Sequence, residues 1–201
     1  VRFLSNRSSG KQGVAIAQAA VDAGAEVTLI AGPMEARAPI GVELVPVLDA
    51  RAMEQAVLAQ ATGAGQADAL VMSAAVSDFR PERAATQKIK KGAGEPLSLT
   101  LTPNPDILLS VAQQERRPRV TVGFAAESED VLENAREKLA RKKLDLIVAN
   151  DITAPDAGFA VDTNRVHFVT ADGAEALPLL SKEAVARRLV EWIADRLAGG
   201  A

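Results

Sequence analysis

The first candidate binding segment lies at the start of the chain and has the sequence Ser5-Asn6-Arg7-Ser8-Ser9-Gly10-Lys11-Gln12-Gly13. A run of apolar residues at helical spacing follows over residues 14–23. Backbone N–H groups at a helix start are unpaired and partly positive, and Ser and Gly let an anion approach them closely. The same residue types also cap ordinary helices. The segment therefore predicts either an anion site or a solvated helix cap.

Two common phosphate-binding motifs are excluded in this segment. A P-loop needs Gly-x-x-x-x-Gly-Lys-Ser/Thr, but Ser5 stands five residues before Gly10 and Gln12 follows Lys11. The dinucleotide fingerprint Gly-x-Gly-x-x-Gly lacks its first glycine here. The loop thus indicates a nucleotide or phosphate ligand outside these two motifs.

A second candidate is Asp78, which follows the apolar run Ala-Leu-Val-Met-Ser-Ala-Ala-Val over residues 69–76. In open α/β sheets, ligands sit beyond the carboxyl ends of the strands, and small side chains there leave room for them. Asp78 could accept a hydrogen bond from a ribose, hold a metal or cap a turn. The residues alone leave all three roles open.

Two groups of lysines could meet phosphates. Lys88-Ile89-Lys90-Lys91-Gly92 lies in a loop of poor periodicity between two predicted strands, where a mobile lid could neutralise charge during phosphoryl or nucleotidyl transfer. Lys138 and Lys142 are four residues apart on a predicted helix, so they share one face. In both cases an ordinary solvated surface is the alternative.

The composition excludes several classes of protein. Hydrophobic residues make up 48% of 201 residues and aromatic residues only 3%, so Ala, Val and Leu must fill the core. Such a core favours helices packed on a parallel sheet. The net charge of −3 argues against a general affinity for nucleic acid. The chain has no cysteine and hence no disulfide or thiolate site. Its one histidine, His167, lies in Val166-His167-Phe168-Val169, a pattern that predicts an ordinary strand position. We find no membrane span or secretion signal and expect a cytoplasmic protein.

The elements that must position these residues alternate between strand and helix. Strands are predicted over residues 26–31, 42–47, 69–76, 97–101, 120–124 and 144–149, with helices over 14–23, 51–61, 107–114 and 129–143. Asp172-Gly173 predicts a late hairpin, and Ser181 caps a final helix. The pattern predicts an α/β fold, a Rossmann-like three-layer parallel sheet with an appended antiparallel hairpin, over a single domain of residues 1–201.

Several segments together resemble bacterial phosphopantothenoylcysteine synthetase, the ligase half of a bifunctional protein. Residues 1–13 match that family's opening motif from its valine onward. The further matches are Ala74-Ala75-Val76-Ser77-Asp78-Phe79, Lys88-Ile89-Lys90-Lys91, Asn104-Pro105-Asp106-Ile107, Gly123-Phe124-Ala125-Ala126-Glu127 and Asp145-Leu146-Ile147-Val148-Ala149-Asn150. Each motif is weak by itself, but six in order along almost the whole chain are specific.

The resemblance implies a reaction in which 4′-phosphopantothenate, cysteine and CTP give phosphopantothenoylcysteine, CMP and pyrophosphate. The carboxylate attacks the α-phosphate to form an acyl-cytidylate, and the amine of cysteine then displaces CMP. Mg²⁺ (or Mn²⁺) is the implied cofactor, with no metal site built from protein side chains and no flavin in this domain. The residues alone do not distinguish CTP from ATP.

The resemblance also implies the site residues. Asn6 and Lys88 carry the catalytic roles, with Asn6 orienting the carboxylate and Lys88 closing on the triphosphate. Substrate binding falls to Arg2, Asn6, Arg7, Ser8 and Ala75. The residues implied to contact CTP are Met72, Ser73, Ala74, Asp78, Lys88, Pro105, Asp106, Ile107, Leu108, Phe124, Lys138 and Lys142.

The implied partners are the substrates, a second copy of the chain and a fused flavin-dependent decarboxylase domain. The late hairpin is expected to serve homodimerisation. The family's first strand lies upstream of Val1, and we expect the longer protein to pair such a strand beside residues 26–31.

Two other functions stay open. An NAD(P)-dependent oxidoreductase on the same fold would need the glycine fingerprint, and Gly32-Pro33 stands where its acidic ribose residue would follow the second strand. A non-catalytic nucleotide-binding domain would bind nucleotide without releasing pyrophosphate. Asn6 together with Lys88 favours the ligase.

Overall fold

The structure is a computed structural model that describes residues 3–6, 8–63, 66–85, 87, 89, 97–127, 130–151 and 163–199. Along the first three quarters of the chain, each helix is followed by one to three strands. The helices are α1 (Lys11–Asp22), α2 (Ala50–Thr62), α3 (Ile107–Ala112), α4 (Val131–Arg141) and α5 (Lys182–Ala198). The strands are β1 (Val27–Ala31), β2 (Val42–Pro46), β3 (Ala69–Met72), β4 (Phe79–Pro81), β5 (Leu101–Pro103), β6 (Val120–Glu127), β7 (Leu146–Asp151), β8 (Thr163–Asn164), β9 (Val166–Thr170), β10 (Gly173–Ala176) and β11 (Leu180–Ser181).

The largest sheet has five strands in the order β10-β9-β7-β6-β3. Strands β3, β6 and β7 run parallel, whereas β9 is antiparallel to β7 and β10 is antiparallel to β9. The predicted α/β class is confirmed, and the sheet is mixed. The predicted hairpin extends this sheet, because Val166 and Phe168 pair with Asn150 and Val148 of β7 and are buried in the same core cluster.

Strands β1 and β2 form a parallel pair of their own. In the part of the chain that the structure describes, no ladder joins this pair to β3. All five residues of β1 are only partly buried. By contrast, Leu146, Val148 and Val122 in the larger sheet have no exposed surface.

The core falls into three clusters of apolar side chains. One packs Leu146, Val148 and Val122 under α1 and α5, with Leu189 at its centre. A second lies on the opposite face, where Ile147 and Ala149 meet α4. The third joins β1 and β2 to α2 and α3. Helix α4 and helices α1 and α5 therefore cover opposite faces of β6 and β7, as the alternation of side chains along a strand requires.

Several element boundaries differ from those that the sequence predicts. Helix α1 begins three residues earlier, directly after Gly10. Strand β3 ends at Met72, so residues 73–76 belong to the irregular segment that follows it. The strand predicted over residues 97–101 is assigned only from Leu101. Its partner β4 was missed because it is short and ends in a proline within an expected turn.

The cap predicted at Ser181 is confirmed, since its hydroxyl accepts a hydrogen bond from the Ala184 N–H at 3.2 Å. Asp49 caps α2 in the same way. Within the described residues, no helix combines the length and the apolar character that a membrane span requires.

Candidate functional site

The loop before α1 lies against the carboxyl end of β3. The amide Nδ2 of Asn6 donates a hydrogen bond to the carbonyl oxygen of Val76 at 3.2 Å, across 70 residues of sequence. Gly13, in the first turn of α1, lies so close to Ser73 that an added Cβ would stand 3.1 Å from its Oγ. The structure thus brings together two of the segments that the sequence singles out.

The backbone of this loop is held in one shape at Gly10. Its φ of 76° lies in the left-handed region, and an added Cβ would stand 2.8 Å from the Cβ and Sδ atoms of Met34. The carbonyl of Ser9 also accepts a hydrogen bond from the Ala36 N–H at 3.1 Å. Gly10 offers no side chain to cap α1, and Ser8 and Asn6 are exposed. At the start of α1, the Ser9 hydroxyl accepts a hydrogen bond from the Lys11 N–H at 3.4 Å.

The turn after β3 is joined to the turn before α3 by one asparagine. The Nδ2 of Asn104 donates to the carbonyl of Ser77 at 2.8 Å, and its backbone N–H donates to the carbonyl of Asp78 at 2.8 Å. Arg80 donates to the Oδ1 of Asn104 at 3.3 Å and to the carbonyl of Pro103. We call Ser77, Asp78, Arg80 and Asn104 the Asn104 clamp. It holds the exposed Asp78 beside the turn that leads to Asp106.

Sequence reasoning named Asn104 within a family motif but gave it no role of its own. The signal was present, because an asparagine between two prolines offers an amide that can bind backbone groups on both sides. Which backbone groups it binds depends on how β4 and β5 pair, and no local pattern shows that.

A cation and a carboxylate meet beside this turn. The Nζ of Lys142, at the end of α4, lies 2.9 Å from the Oδ2 of Asp106, while Arg141 is 3.9 Å from the same atom. The Oδ1 of Asp106 also accepts from the Leu109 N–H and so caps α3. Only 18% of the Lys142 side chain is exposed. Lys142 therefore pairs with a different element instead of an acid of its own helix, unlike a solvated helix face.

The other predicted nucleotide contacts lie on β3, β6, α3 and α4 and in the two turns. Lys138 lies one turn before Lys142 and is half-buried. Ile107 and Leu108 are buried in the core, so only their backbone groups could face a ligand. Phe124 lies in β6, next to Gly123, which pairs with Met72. Ser73, Ala74 and Ala75 follow β3 and lead to the turn that carries Asp78. Pro105 lies in the other turn, directly before Asp106.

Gly123 is a residue that sequence reasoning did not single out for packing. An added Cβ there would stand 2.9 Å from Cδ1 of Leu144 and 3.2 Å from Cδ1 of Leu108. Glycine at this position lets Leu108 lie against the sheet and so sets the depth of the turn that carries Asp106.

Three predicted site residues, Arg2, Arg7 and Lys88, lie outside the described residues, so their roles stay predictions. His167 lies within β9 and pairs with Ala149 and Ala176, as expected of a strand residue. In the described ranges, no group of three or more His, Cys, Asp or Glu side chains is placed to hold a metal ion.

A surface cavity of about 480 Å³ lies elsewhere, between the β9–β10 hairpin and α5. It is lined by Phe168, Glu175, Arg188 and Trp192, among others. None of the predicted site residues lines it, so its size does not make it the functional site. The predicted residues instead lie around the loop before α1, the turn after β3 and the turn before α3, with Lys142 at the end of α4.

Comparison with known protein families gives a match along almost the whole chain. Residues 1–197 match the family described as DNA/pantothenate metabolism flavoprotein, C-terminal domain. The chain belongs to this family. The resemblance that the sequence motifs indicate is thereby confirmed.

Members of the family with close sequences are bifunctional proteins. The chain is 45% identical over 192 residues to the coenzyme A biosynthesis bifunctional protein CoaBC of Vibrio parahaemolyticus, covering 95% of this chain and 47% of that protein. It is 45% identical over 199 residues to CoaBC of Escherichia coli, covering 98% of this chain and 48% of that protein. The chain thus spans about half the length of these curated relatives.

The fold of the family is likewise shared. A crystal structure of the C-terminal domain of a CoaBC protein superposes with a TM-score of 0.80 at 35% sequence identity, covering 99% of this chain and 88% of that one. The similarity therefore covers the C-terminal half of the bifunctional relatives.

Proposed function

We propose that residues 1–201 act as a phosphopantothenate–cysteine ligase domain in coenzyme A biosynthesis. It would join 4′-phosphopantothenate to cysteine with CTP, through an acyl-cytidylate, and release CMP and pyrophosphate. The observation that carries the proposal is the hydrogen bond from Asn6 to the carbonyl of Val76. It sets the loop before α1 beside the strand end that leads to Asp78. The two core clusters on opposite faces of β6 and β7 support a Rossmann-like three-layer arrangement around this site.

In the first step of the proposed reaction, the substrate carboxylate attacks the α-phosphate and pyrophosphate leaves. Asn6 is suited to hold that carboxylate, because a neutral amide orients it and donates to developing negative charge without forming an ion pair with it. Ser8 and the backbone at the start of α1 would bind anionic groups of the same substrate, with Ala75 beside them. Arg2 and Arg7 are proposed to assist with its phosphate.

The nucleotide is proposed to lie across the turns joined by the Asn104 clamp. Asp78 would accept hydrogen bonds from the ribose, while backbone groups of residues 105–108, together with Phe124, would surround the base. Met72, Ser73 and Ala74 would supply backbone contacts. Lys138 and Lys142 are half-buried on the neighbouring face of α4, where they would neutralise the triphosphate. Lys88 would close over the phosphates.

A divalent ion would accompany the triphosphate in this proposal. Mg²⁺ is commonly held by substrate phosphates together with one or two carboxylates and water. In this proposal the phosphates and water hold the ion, Asp78 stays with the ribose, and Asp106 is engaged by Lys142. Mg²⁺ (or Mn²⁺) would neutralise charge on the leaving pyrophosphate.

In the second step, the amine of cysteine attacks the acyl carbon, the bond to the nucleotide phosphate breaks and CMP leaves with the bonding electrons. The amine loses one proton, and the amide product forms. The site needs to orient two substrates and stabilise charge, since no covalent bond to the protein is required.

The experiment that tests the proposal measures pyrophosphate release by the full-length protein with phosphopantothenate and each of CTP, ATP, GTP and UTP, with and without cysteine. We expect release with CTP, and a loss of about 100-fold in kcat for Asn6→Asp, comparable to removing one oriented donor at a charged transition state. Binding of CTP without any pyrophosphate release would favour the non-catalytic nucleotide-binding domain. Reduction of NAD(P) would favour an oxidoreductase.

We also propose that the protein forms a homodimer and that a flavin-dependent decarboxylase domain is fused to it in the longer protein. The late hairpin was expected to form the dimer interface, and β10 is exposed along all four residues. However, β10 carries small and charged side chains, whereas Leu97, Leu99, Leu101 and Phe79 expose apolar surface around the β4–β5 pair. Substituting Leu99→Lys or Ala174→Lys and measuring the molar mass in solution would decide between the two surfaces.

A further inference from the structure

One buried side-chain atom in the described residues has no hydrogen-bond partner, the Oδ1 of Asn150. Nearly all buried polar atoms in folded proteins are satisfied, so each exception calls for a specific explanation. Asn150 ends the apolar run of β7 and belongs to a motif to which the proposed reaction assigns no role. Its position at the carboxyl end of a central parallel strand is where α/β sheets bind ligands.

The direction of the Asn150 side chain follows from the register of the sheet. Side chains alternate along a strand, so Asn150 shares a face with Val148 and Leu146. It also pairs across strands with Val166. All three belong to the core cluster beneath α1 and α5. Asn150 therefore lies on the α1 side of the sheet, whereas α4, which carries Lys142, lies on the other side.

The same face of the edge is open beside Asn150. Its cross-strand neighbour in β6 is Ala126, which is small and exposed. Strand β3 is two strands away, which corresponds to about 10 Å at the usual spacing. The loop that carries Asn6 is fixed to the chain just beyond β3. A substrate held by its carboxylate at Asn6 could thus extend along the edge towards Asn150.

We propose that Asn150 is a substrate-binding residue whose Oδ1 accepts a hydrogen bond from a neutral N–H group. The inference rests on the ligase proposal for the identity of the substrates. Two of them carry such a group, namely the amide of phosphopantothenate and the attacking amine of cysteine. An amide oxygen suits a neutral N–H, since a carboxylate in its place would favour a protonated and therefore non-nucleophilic amine.

A second asparagine offers a matched control. Asn164 in β8 is also buried, but its Nδ2 donates to the Oε1 of Gln12 at 3.1 Å and its Oδ1 accepts from the Nζ of buried Lys182 at 3.5 Å. Gln12 in turn donates to the backbone carbonyl of Lys182. Asn164 thus has structural partners for both ends of its amide, unlike Asn150.

The test compares Asn150→Leu with Asn164→Leu in the full-length protein by urea unfolding and by steady-state pyrophosphate release. Leucine branches at Cγ as asparagine does and carries no polar atom, and because it is larger, the same substitution at both positions controls for the added volume. We expect the unfolding midpoint of Asn150→Leu to stay unchanged or rise, because the substitution removes an unsatisfied buried acceptor. The midpoint of Asn164→Leu should fall, because its partners lose their hydrogen bonds.

The kinetic result should separate the two N–H sources. In Asn150→Leu, KM for either phosphopantothenate or cysteine should rise about five- to tenfold, the factor that one neutral hydrogen bond supplies, with KM for CTP unchanged. The substrate whose KM rises is the one that Asn150 binds. A lower unfolding midpoint with all KM values raised together would show a structural role and overturn the proposal, as would kinetics identical to those of the unsubstituted protein.

Failure of the ligase proposal would be recognised separately. If the unsubstituted protein releases no pyrophosphate with any nucleotide, that proposal fails, and Asn150 is then tested by thermal stabilisation with phosphopantothenate or with cysteine. Stabilisation that is present in the unsubstituted protein and lost in Asn150→Leu would support Asn150 as a ligand contact. Equal shifts in both proteins, or none in either, would overturn it.

Discussion

The two groups of parallel strands in this molecule are held in different ways. In β6 and β7, Val122, Leu146 and Val148 have no exposed surface, and helices cover both faces. Every residue of β1 is partly exposed, and β2 exposes Leu44 to 47%. Apolar burial therefore fixes the strands beneath the site. The site itself, beyond the carboxyl end of β3 and at the start of α3, depends on a small number of polar contacts such as the Asn104 clamp and the pair of Asp106 with Lys142.

This difference predicts which substitutions should alter the stability of the domain and which should alter nucleotide binding. Removing apolar volume under the edge should destabilise the whole domain. Removing a polar contact at the edge should leave the core intact and change how the turns are placed. The two kinds of effect can be separated by measuring unfolding and nucleotide affinity on the same variants.

The largest effect is expected from Leu146→Ala in β7. Cavity formation at this fully buried position should lower the free energy of unfolding by about 2–5 kcal/mol, whereas Leu44→Ala in half-exposed β2 should cost roughly 1 kcal/mol or less. Urea unfolding of both variants checks the comparison. Equal losses would mean that β2 is covered as completely as β7 in the protein in solution.

Gly123→Ala tests the point at which the core meets the site. The new Cβ would press on Leu144 and Leu108, so overpacking should lower the free energy of unfolding by about 1–3 kcal/mol. Because Leu108 belongs to the proposed base turn, nucleotide affinity should fall as well. Gly173→Ala is the matched control, since nothing lies within 4 Å of a Cβ there. If nucleotide affinity in Gly123→Ala stays unchanged while stability falls, then the depth of this turn does not set the base pocket.

The Asn104 clamp should affect binding more than stability. In Asn104→Asp, the contact with Arg80 becomes an ion pair, but the donor to the Ser77 carbonyl is lost. We expect the Kd for CTP, measured by calorimetry, to rise roughly tenfold, with less than about 1 kcal/mol lost from stability. Arg80→Lys weakens the opposite end of the clamp and serves as its counterpart. Unchanged affinity in both variants would show that the two turns hold their places without the clamp.

The smallest effect on stability is expected from Asp106→Asn. Asparagine also caps helices well, so α3 keeps its cap while the ion pair with Lys142 loses its charge. A partly exposed pair of this kind contributes about 1 kcal/mol or less. Lys142 would then be released towards the phosphates, and we expect CTP to bind equally well or more tightly. Weaker binding would show that Asp106 orients Lys142 for the nucleotide.

Sequence reasoning recovered the α/β class, the course of most helices and strands, the cap at Ser181 and the family. These features depend on residues near one another in sequence, because side-chain periodicity and caps are local. Lys142 was selected only through the resemblance. The structure shows its pair with Asp106, and its contact with the nucleotide stays a prediction.

Contacts between segments far apart in sequence could be found only from the tertiary structure. The hairpin joins β7 as part of one mixed sheet, Asn6 reaches Val76, and Asn104 connects Ser77 with Asp78. Each of these contacts depends on strand order and register, which fix distances between residues far apart in the chain. The unpaired oxygen of Asn150 is of the same kind. The sequence determined that Asn150 ends an apolar strand, and the packing of the sheet against α1 and α5 determined that its oxygen is buried without a partner.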